Sequence, residues 1–411
     1  MKRYDSYKDS GVEWIGEIPS HWESKQLKRL AKIGNGKDYK DIEVEIDGYP
    51  VYGTGGEFSR CSAYLHTGPS VLLGRKGTIN NPLFVNEPFW TSDTIYYTII
   101  DETKIIPSLL FRLVHQIPFD LYTYGSAIPS MNKSDYEVMK FPTPPLSEQK
   151  QIVSFLDTKT ALIDSLIEKT QRKIELLKEK RTALINEVVT KGLNPHVEMK
   201  DSGVEWIGEI PSHWDKRKLA WSFNDIGSGT TPKSSNTDYY NNGTINWLLT
   251  GDLNDGYIYN TSKKITELAL ENHSLKLYPK KSIVIAMYGA TIGRLGILET
   301  ETTTNQACCV LAESDIFHHK YVFYWLKASK QEIINLSYGG GQPNISQDII
   351  RNLWLTFPPL SEQKQIVAYL DEQTGLIDKT ISIEEKRIEL LEAYRQSLIS
   401  EVVTGKRKVV A

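Results

Sequence analysis

The chain is poor in cysteine, in long apolar runs and in net charge. Its three cysteines, Cys61, Cys308 and Cys309, form no CxxC pair. That argues against a disulfide framework and a zinc site and fits a reducing, cytoplasmic setting. The longest apolar stretch, residues 282–290 (SIVIAMYGA), falls well short of the ~20 residues that cross a bilayer. No apolar segment follows the basic residues of the N-terminal MKRYDSYKDS, so the start does not read as a secretory signal. The net charge is only −3, without the strong basicity by which many nucleic-acid binders show themselves.

Catalytic motifs are missing as well. There is no GxxxxGK[ST] phosphate loop, and the nearest string, residues 289–294, has the wrong spacing and ends in Arg. No HExxH and no GxSxG occurs, nor the [DNS]PP[YFW] string of an amino-methyltransferase. The eight histidines fall in no metal-like spacing, and the pair His318-His319 is expected on a helix surface. Glu384-Glu385 reads as part of a solvated helical face.

What is present is repetition. KDSGVEWIGEIPSHW occurs at residues 8–22 and, without a change, at 200–214. A second repeat begins PPLSEQKQIV at Pro144 and again at Pro358, and 28 of its 47 positions are identical. The order is phrase, variable block, helical block, and then all three once more. Two copies of a long period exclude a solenoid, which needs three or more short repeats. A duplication whose middles diverged accounts for the pattern, and it implies pseudo-two-fold symmetry.

The helical blocks follow a heptad. In the first copy Leu156, Ile163, Thr170, Leu177 and Leu184 form one series, and Thr160, Ile167, Ile174, Arg181 and Val188 the other. The second copy matches with Leu370, Ile377, Glu384, Leu391, Leu398 and Thr374, Ile381, Ile388, Arg395, Val402. Seven of ten seam positions are apolar in each copy, at the 3.5-residue period of a coiled coil. Proline pairs precede each block, Ser147 and Ser361 are candidate N-caps, and Gly192 and Gly405 are candidate C-caps. Each helix should run about 45 residues, roughly 65 Å, and bury its stripe on the other.

The variable blocks, residues 23–143 and 215–357, read as α/β with short strands at 70–73, 95–100, 245–249 and 281–287. Their charges nearly cancel, with 13 basic against 14 acidic residues in the first and 14 against 13 in the second. Neither is therefore a generic polyanion trap. Between the strands lie glycine-rich loops where backbone can approach a phosphate or base edge, with Arg, Lys, Asn and Gln beside them. The candidate DNA contacts are Lys37, Tyr52, Arg75, Lys76, Thr78 and Lys133 in the first block. In the second they are Thr231, Lys233, Tyr288, Arg294, Gln342 and Asn344. Arg75-Lys76 looks like a reading tip, and Arg294 is expected in a comparable place.

This layout resembles the specificity subunit of a type I restriction–modification system. PPLSEQ at Pro144 and Pro358, the repeated GEIPSHW, and GTTP, GDL, GATIG and NQ in the second block carry the resemblance. The first block matches more loosely, through PVYG and GRKG.

The resemblance implies an α+β fold. Two pseudo-symmetric α/β target-recognition domains would be separated by two long helices in an antiparallel intramolecular coiled coil. Along the chain the expected divisions are 1–143 (first recognition domain), 144–192 (central helix), 193–357 (second recognition domain), 358–405 (C-terminal helix) and 406–411 (tail). It further implies a non-catalytic subunit whose recognition domains each read half of a split duplex target. The coil would set the spacing, with half-sites on one DNA face about one helical turn, roughly 34–36 Å, apart. Two methyltransferase subunits and two restriction/translocase subunits would bind. S-adenosylmethionine, ATP and Mg would belong to those partners, with no cofactor in this chain and no membrane contact. The alternatives are a modification-only complex, a coiled-coil adaptor that reads no bases, and an enzyme with an unfamiliar site. Trp14, Ile18 and Trp22, with their copies Trp206, Ile210 and Trp214, are expected to anchor each recognition domain.

Overall fold

A computed structural model of the chain describes residues 3–122, 128–273, 275–337 and 344–409. Packing divides it into two compact units, Met1–Gln171 with Glu385–Ala411, and Arg172–Glu384. Both cuts fall inside the long helices Leu146–Lys191 and Leu360–Val403. Each unit thus owns part of both helices, and the division by packing differs from the divisions read along the chain.

In the first unit a four-stranded antiparallel sheet runs in the order Ala31–Asn35, Ile95–Ile100, Ser70–Gly74, Leu83–Val85. The second sheet of this unit has the order Trp90–Thr91, Tyr49–Gly53, Gly56–Cys61, Glu43–Val44. The helix Pro107–Val114 buries Leu109, Leu110 and Leu113 in one core with Ile152, Leu156 and Ile163 of the first long helix and Leu398 and Val402 of the second.

In the second unit a five-stranded sheet runs Asp225–Ser228, Cys308–Ala312, Ile283–Ala286, Leu295–Leu298, Gly256–Ile258. Beside it lies a three-stranded sheet in the order Lys263–Ile265, Ile245–Leu248, Thr302–Thr304. The helix His319–Ala328 shares its core with Ile185, Val188 and Val189 of the first long helix and Ile366, Val367 and Leu370 of the second. Continuous burial along Ile283–Ala286 explains why this strand shows no alternation in sequence.

The heptad frame holds in each unit. Every seam position is buried or half-buried, as a stripe of period 3.5 requires. The helix directions are opposed: Lys173 pairs with Glu384 at 2.6 Å and Arg181 with Asp378 at 3.2 Å in the second unit. Glu384 is a correction to the expected solvated face. It is 6% exposed and pairs with Lys173 from within the seam.

The helix starts also differ from expectation. Ser147 and Ser361 lie inside the first turn, because the helices begin one residue earlier, at Leu146 and Leu360. Pro145 O accepts from Glu148 N and Gln149 N, and Pro359 O from Glu362 N and Gln363 N. Gly192 and Gly405 do sit past the helix ends, with φ of +75° and +76°, the left-handed conformation glycine tolerates best.

The fifteen-residue phrase folds twice into the same hairpin. Tyr7–Asp9 pairs with Glu17–Pro19, and Met199–Asp201 with Glu209–Pro211, in matching register. Ile18 and Trp22 enter the first core and Ile210 and Trp214 the second. Trp14 is half-buried against Phe141 at 6.4 Å, while Trp206 stays at the surface beside Trp325 at 5.4 Å.

Candidate nucleic-acid interface

Two glutamines explain the PPLSEQ string. Gln149 Nε2 donates to Lys104 O and Pro144 O, and its Oε1 accepts from Ile106 N, the residue before the helix Pro107–Val114. Gln363 repeats this with Ile316 O, Pro358 O and His318 N. Both side chains are wholly buried. A buried amide that meets three backbone groups fixes the variable fold to the long helix at one point.

The preceding glutamates hold the phrase. His21 Nε2 lies 2.8 Å from Glu148 Oε2, and His213 Nε2 lies 2.8 Å from Glu362 Oε2. The remaining carboxylate oxygen differs. Tyr4 donates its hydroxyl to Glu148 at 2.5 Å, whereas Trp214 Nε1 donates to Glu362 at 3.1 Å. Burial, and then the bonded Glu148, push the Tyr4 hydroxyl well above its usual range.

From this common base each unit projects loops at one end of its sheets. In the first unit Arg75 N and Lys76 N donate to Thr94 O, Gly77 N to Pro129 O, Met131 N to Arg75 O, and Lys37 N to Thr91 O. These bonds bring Lys37, Arg75, Lys76 and Thr78 into one cluster, with Lys133 two residues past Met131. Lys37, Lys76 and Thr78 are exposed, and Lys133 pairs with Glu137 at 3.6 Å. Arg75 turns its Nη1 to Asp93 O at 3.1 Å. Tyr52 differs from the expectation. Its carbonyl joins the cluster through Ser92 N, but its ring packs on Phe89 at 6.2 Å and its hydroxyl points to Glu87.

In the second unit Met287 N donates to Ala307 O and Ile345 N to Met287 O, and Tyr288 bridges Asn344. This repeats the pairing of Arg75 and Lys76, so Met287 and Tyr288 stand where those residues stand. Arg294 is a correction. It is exposed on the return side of that loop, where Ala286 N donates to its carbonyl. The loops 75–82 and 287–294 are equally long, but Arg75 opens its loop where Arg294 closes its own. Thr231, Lys233 and Asn344 are exposed, and Tyr288 is partly so. Gln342 lies outside the described residues.

A further correction concerns His318 and His319, which begin the helix His319–Ala328 half-buried and stacked at 4.7 Å. Burial, then His318, Lys281 and Lys320 lower His319 to about 4, against the opposing pull of Glu299. Among the described residues no group of three His, Cys, Asp or Glu could hold a metal ion. No helix there is long and apolar enough to cross a membrane.

Sequence reasoning missed Trp90 and Trp247, whose indole N–H groups hold Lys37 O and Thr230 O at 2.9 and 3.2 Å. Nothing in their local sequence signals this, because each comes from a distant strand.

A family profile described as type I restriction modification DNA specificity domain matches residues 19–176 and 211–393. The chain belongs to this family. A type I restriction enzyme MjaVIII specificity subunit from Methanocaldococcus jannaschii is 27% identical, covering 95% of this chain and 94% of the relative. A putative type I restriction enzyme specificity subunit from Haemophilus influenzae is 24% identical over 95% of this chain and 96% of its own length. Among solved structures, a chain of a type I restriction–modification system aligns with a TM-score of 0.72 at 15% identity, covering 94% of this chain and 98% of that one. The HsdS subunit from Thermoanaerobacter tengcongensis aligns at 0.57 and 16%, covering 95% and 98%. These likenesses bear out the α+β architecture of two repeated domains with long helices.

Proposed function

We propose that this specificity protein reads a split duplex target, one half with each variable block. One observation supports this above others. The phrase hairpin, the histidine–glutamate pair and the glutamine clamp are the same in both units, while the loops they support carry different side chains at matching places, Arg75-Lys76 against Met287-Tyr288. An identical base under divergent tips suits a scaffold that presents two different readers. The recognition segments are 1–143 and 193–357. The helices 144–192 and 358–405 set the spacer, 406–411 is a tail, and the contact residues come from the candidates named above.

The chain does no chemistry itself in this reading. Two methyltransferase subunits dock on it and two restriction subunits join in the cytoplasm, and S-adenosylmethionine, ATP and Mg are held by those partners. Support for docking comes from leucines off the seam. Leu162 and Leu390 in the first unit, and Leu176 and Leu376 in the second, are 48–60% exposed. They occupy matching repeat positions, and paired exposed apolar rows suit two like partners.

The test is an exchange of block 23–143 for that of another specificity protein, read by sequencing methylated adenines in the host. One half of the motif should change and the other stay. A change in both halves, or no motif, would sink the modular reading. Co-purification with a large ATPase subunit separates the full system from a modification-only complex.

A further inference from the structure

In each unit one glycine is pressed flat on neighbouring backbone. A Cβ on Gly36 would stand 1.7 Å from Ser92 O, and one on Gly229 would stand 1.7 Å from Thr304 O. The residue after each glycine has its carbonyl held by a tryptophan, Lys37 O by Trp90 and Thr230 O by Trp247. Two blocks that share little sequence thus build the same turn. A feature common to both readers suits something common to both half-sites, which is the phosphodiester backbone rather than the bases.

The second unit shows what this turn offers. Pro232 O accepts from Tyr240 OH at 2.5 Å, and Gly229 N donates to Thr304 Oγ1 at 3.0 Å. In a trans peptide the N–H points opposite to the carbonyl. With the carbonyls of Thr230 and Pro232 turned onto the protein, the N–H groups of Thr231 and Lys233 face away from it. Thr231 Oγ1 donates to Gln306 Oε1 at 2.7 Å, which leaves the Gln306 Nε2 amide as an exposed donor. Lys233 is exposed, and among the described residues its ammonium has no acidic partner. The outward groups are two backbone N–H donors, a side-chain amide donor and a cation. A ligand that only accepts, and is negative, fits this set.

We propose that Thr231, Lys233 and Gln306 form a clamp for one DNA phosphate in the half-site served by the second unit. Gln306 is then a DNA contact, and Thr231 a positioning residue that turns its amide outward. This rests on the reading that the chain binds a split DNA target. It adds that the turn contributes affinity and register without contributing sequence preference.

The experiment uses the complex assembled with its methyltransferase, after the motif has been mapped by methylated-adenine sequencing. Lys233→Ala, Gln306→Ala and Thr231→Val are compared with the parent on a duplex carrying the motif and on one with the second half-site scrambled. Each variant should weaken binding to both duplexes by the same factor and leave the methylated motif unchanged. Lys233→Ala should also make the slope of log K against log salt shallower by about 1, while the uncharged Gln306→Ala leaves it alone. A neutral methylphosphonate at the clamped position should weaken the parent and not Lys233→Ala. A changed base preference at one position of the second half-site would overturn the clamp in favour of base reading. Unaltered affinity with unaltered urea midpoints would overturn it outright. If the parent itself shows no motif, the failure lies with the DNA-reading function instead.

Discussion

Arg181 Nη2 stands 3.2 Å from Asp378 Oδ2 in the second unit, and the same two positions one repeat along, Asp164 Oδ1 and Arg395 Nε, stand 2.9 Å apart in the first. The offset of 214 turns the arginine of one copy into the partner of the aspartate of the other. Each seam arginine therefore makes the same cross-helix pair, once in each unit, and polar seam residues of this kind commonly set register.

These pairs are partly exposed, so each is worth at most about 1 kcal/mol. Asp378→Lys should lower the urea midpoint by setting two cations together. Adding Arg181→Glu should recover most of the loss. A double variant no better than the single would show that the pair does not set register.

The glutamine clamps should matter far more. Gln149→Ala and Gln363→Ala each strand buried backbone groups and should cost roughly 2–4 kcal/mol. Gln→Leu should not rescue, because volume is not what is lost. Denaturant titration of the four variants checks this, and similar costs at both sites are expected from their shared geometry.

The two buried tryptophans of the phrase should differ. Both are wholly buried, so Trp→Phe removes similar packing from each. Trp214 Nε1 donates to Glu362, whereas Trp22 Nε1 has no partner among the described residues. Trp214→Phe should cost about 1 kcal/mol more than Trp22→Phe, measured by the same titration.

His319 gives a pH dependence. Its folded value of about 4 lies below the ordinary 6.5 because burial disfavours the imidazolium. Between those values the unfolded chain binds more protons than the folded one, so stability falls as pH drops from about 6.5 to about 4 and then levels. His319→Asn should flatten that part of a plot of urea midpoint against pH. An unchanged slope would assign the loss to other groups.

The strongest sequence signals came from local periods. The stripe from Leu156 to Val188 marked the interior of the first long helix, because 3.5-residue spacing is a property of the helix alone, and Pro144-Pro145 and Gly192 bracketed its ends at Leu146 and Lys191. Strands such as Ile95–Ile100 were legible from β-branched and aromatic residues. The candidate loops were legible only as glycine-rich stretches. The surroundings of Tyr52 and Arg294 were not legible, because a side chain's direction depends on which strand lies beside it. Tyr52 meets Phe89, 37 residues away in sequence.

The sequence by itself determined the duplication, the two long helices, their seam and the two divergent blocks, since identity and period need no partner to be read. The tertiary structure alone decided which half of each helix joins which variable block, and that Glu384 is buried. It also decided that two glutamines and two tryptophans, each bonded to backbone from a separate part of the chain, hold the loops in place. Those facts depend on pairings closed over tens to hundreds of residues, such as Glu23–Gln26 with Lys140–Thr143. No local pattern carries the free energy of such a closure.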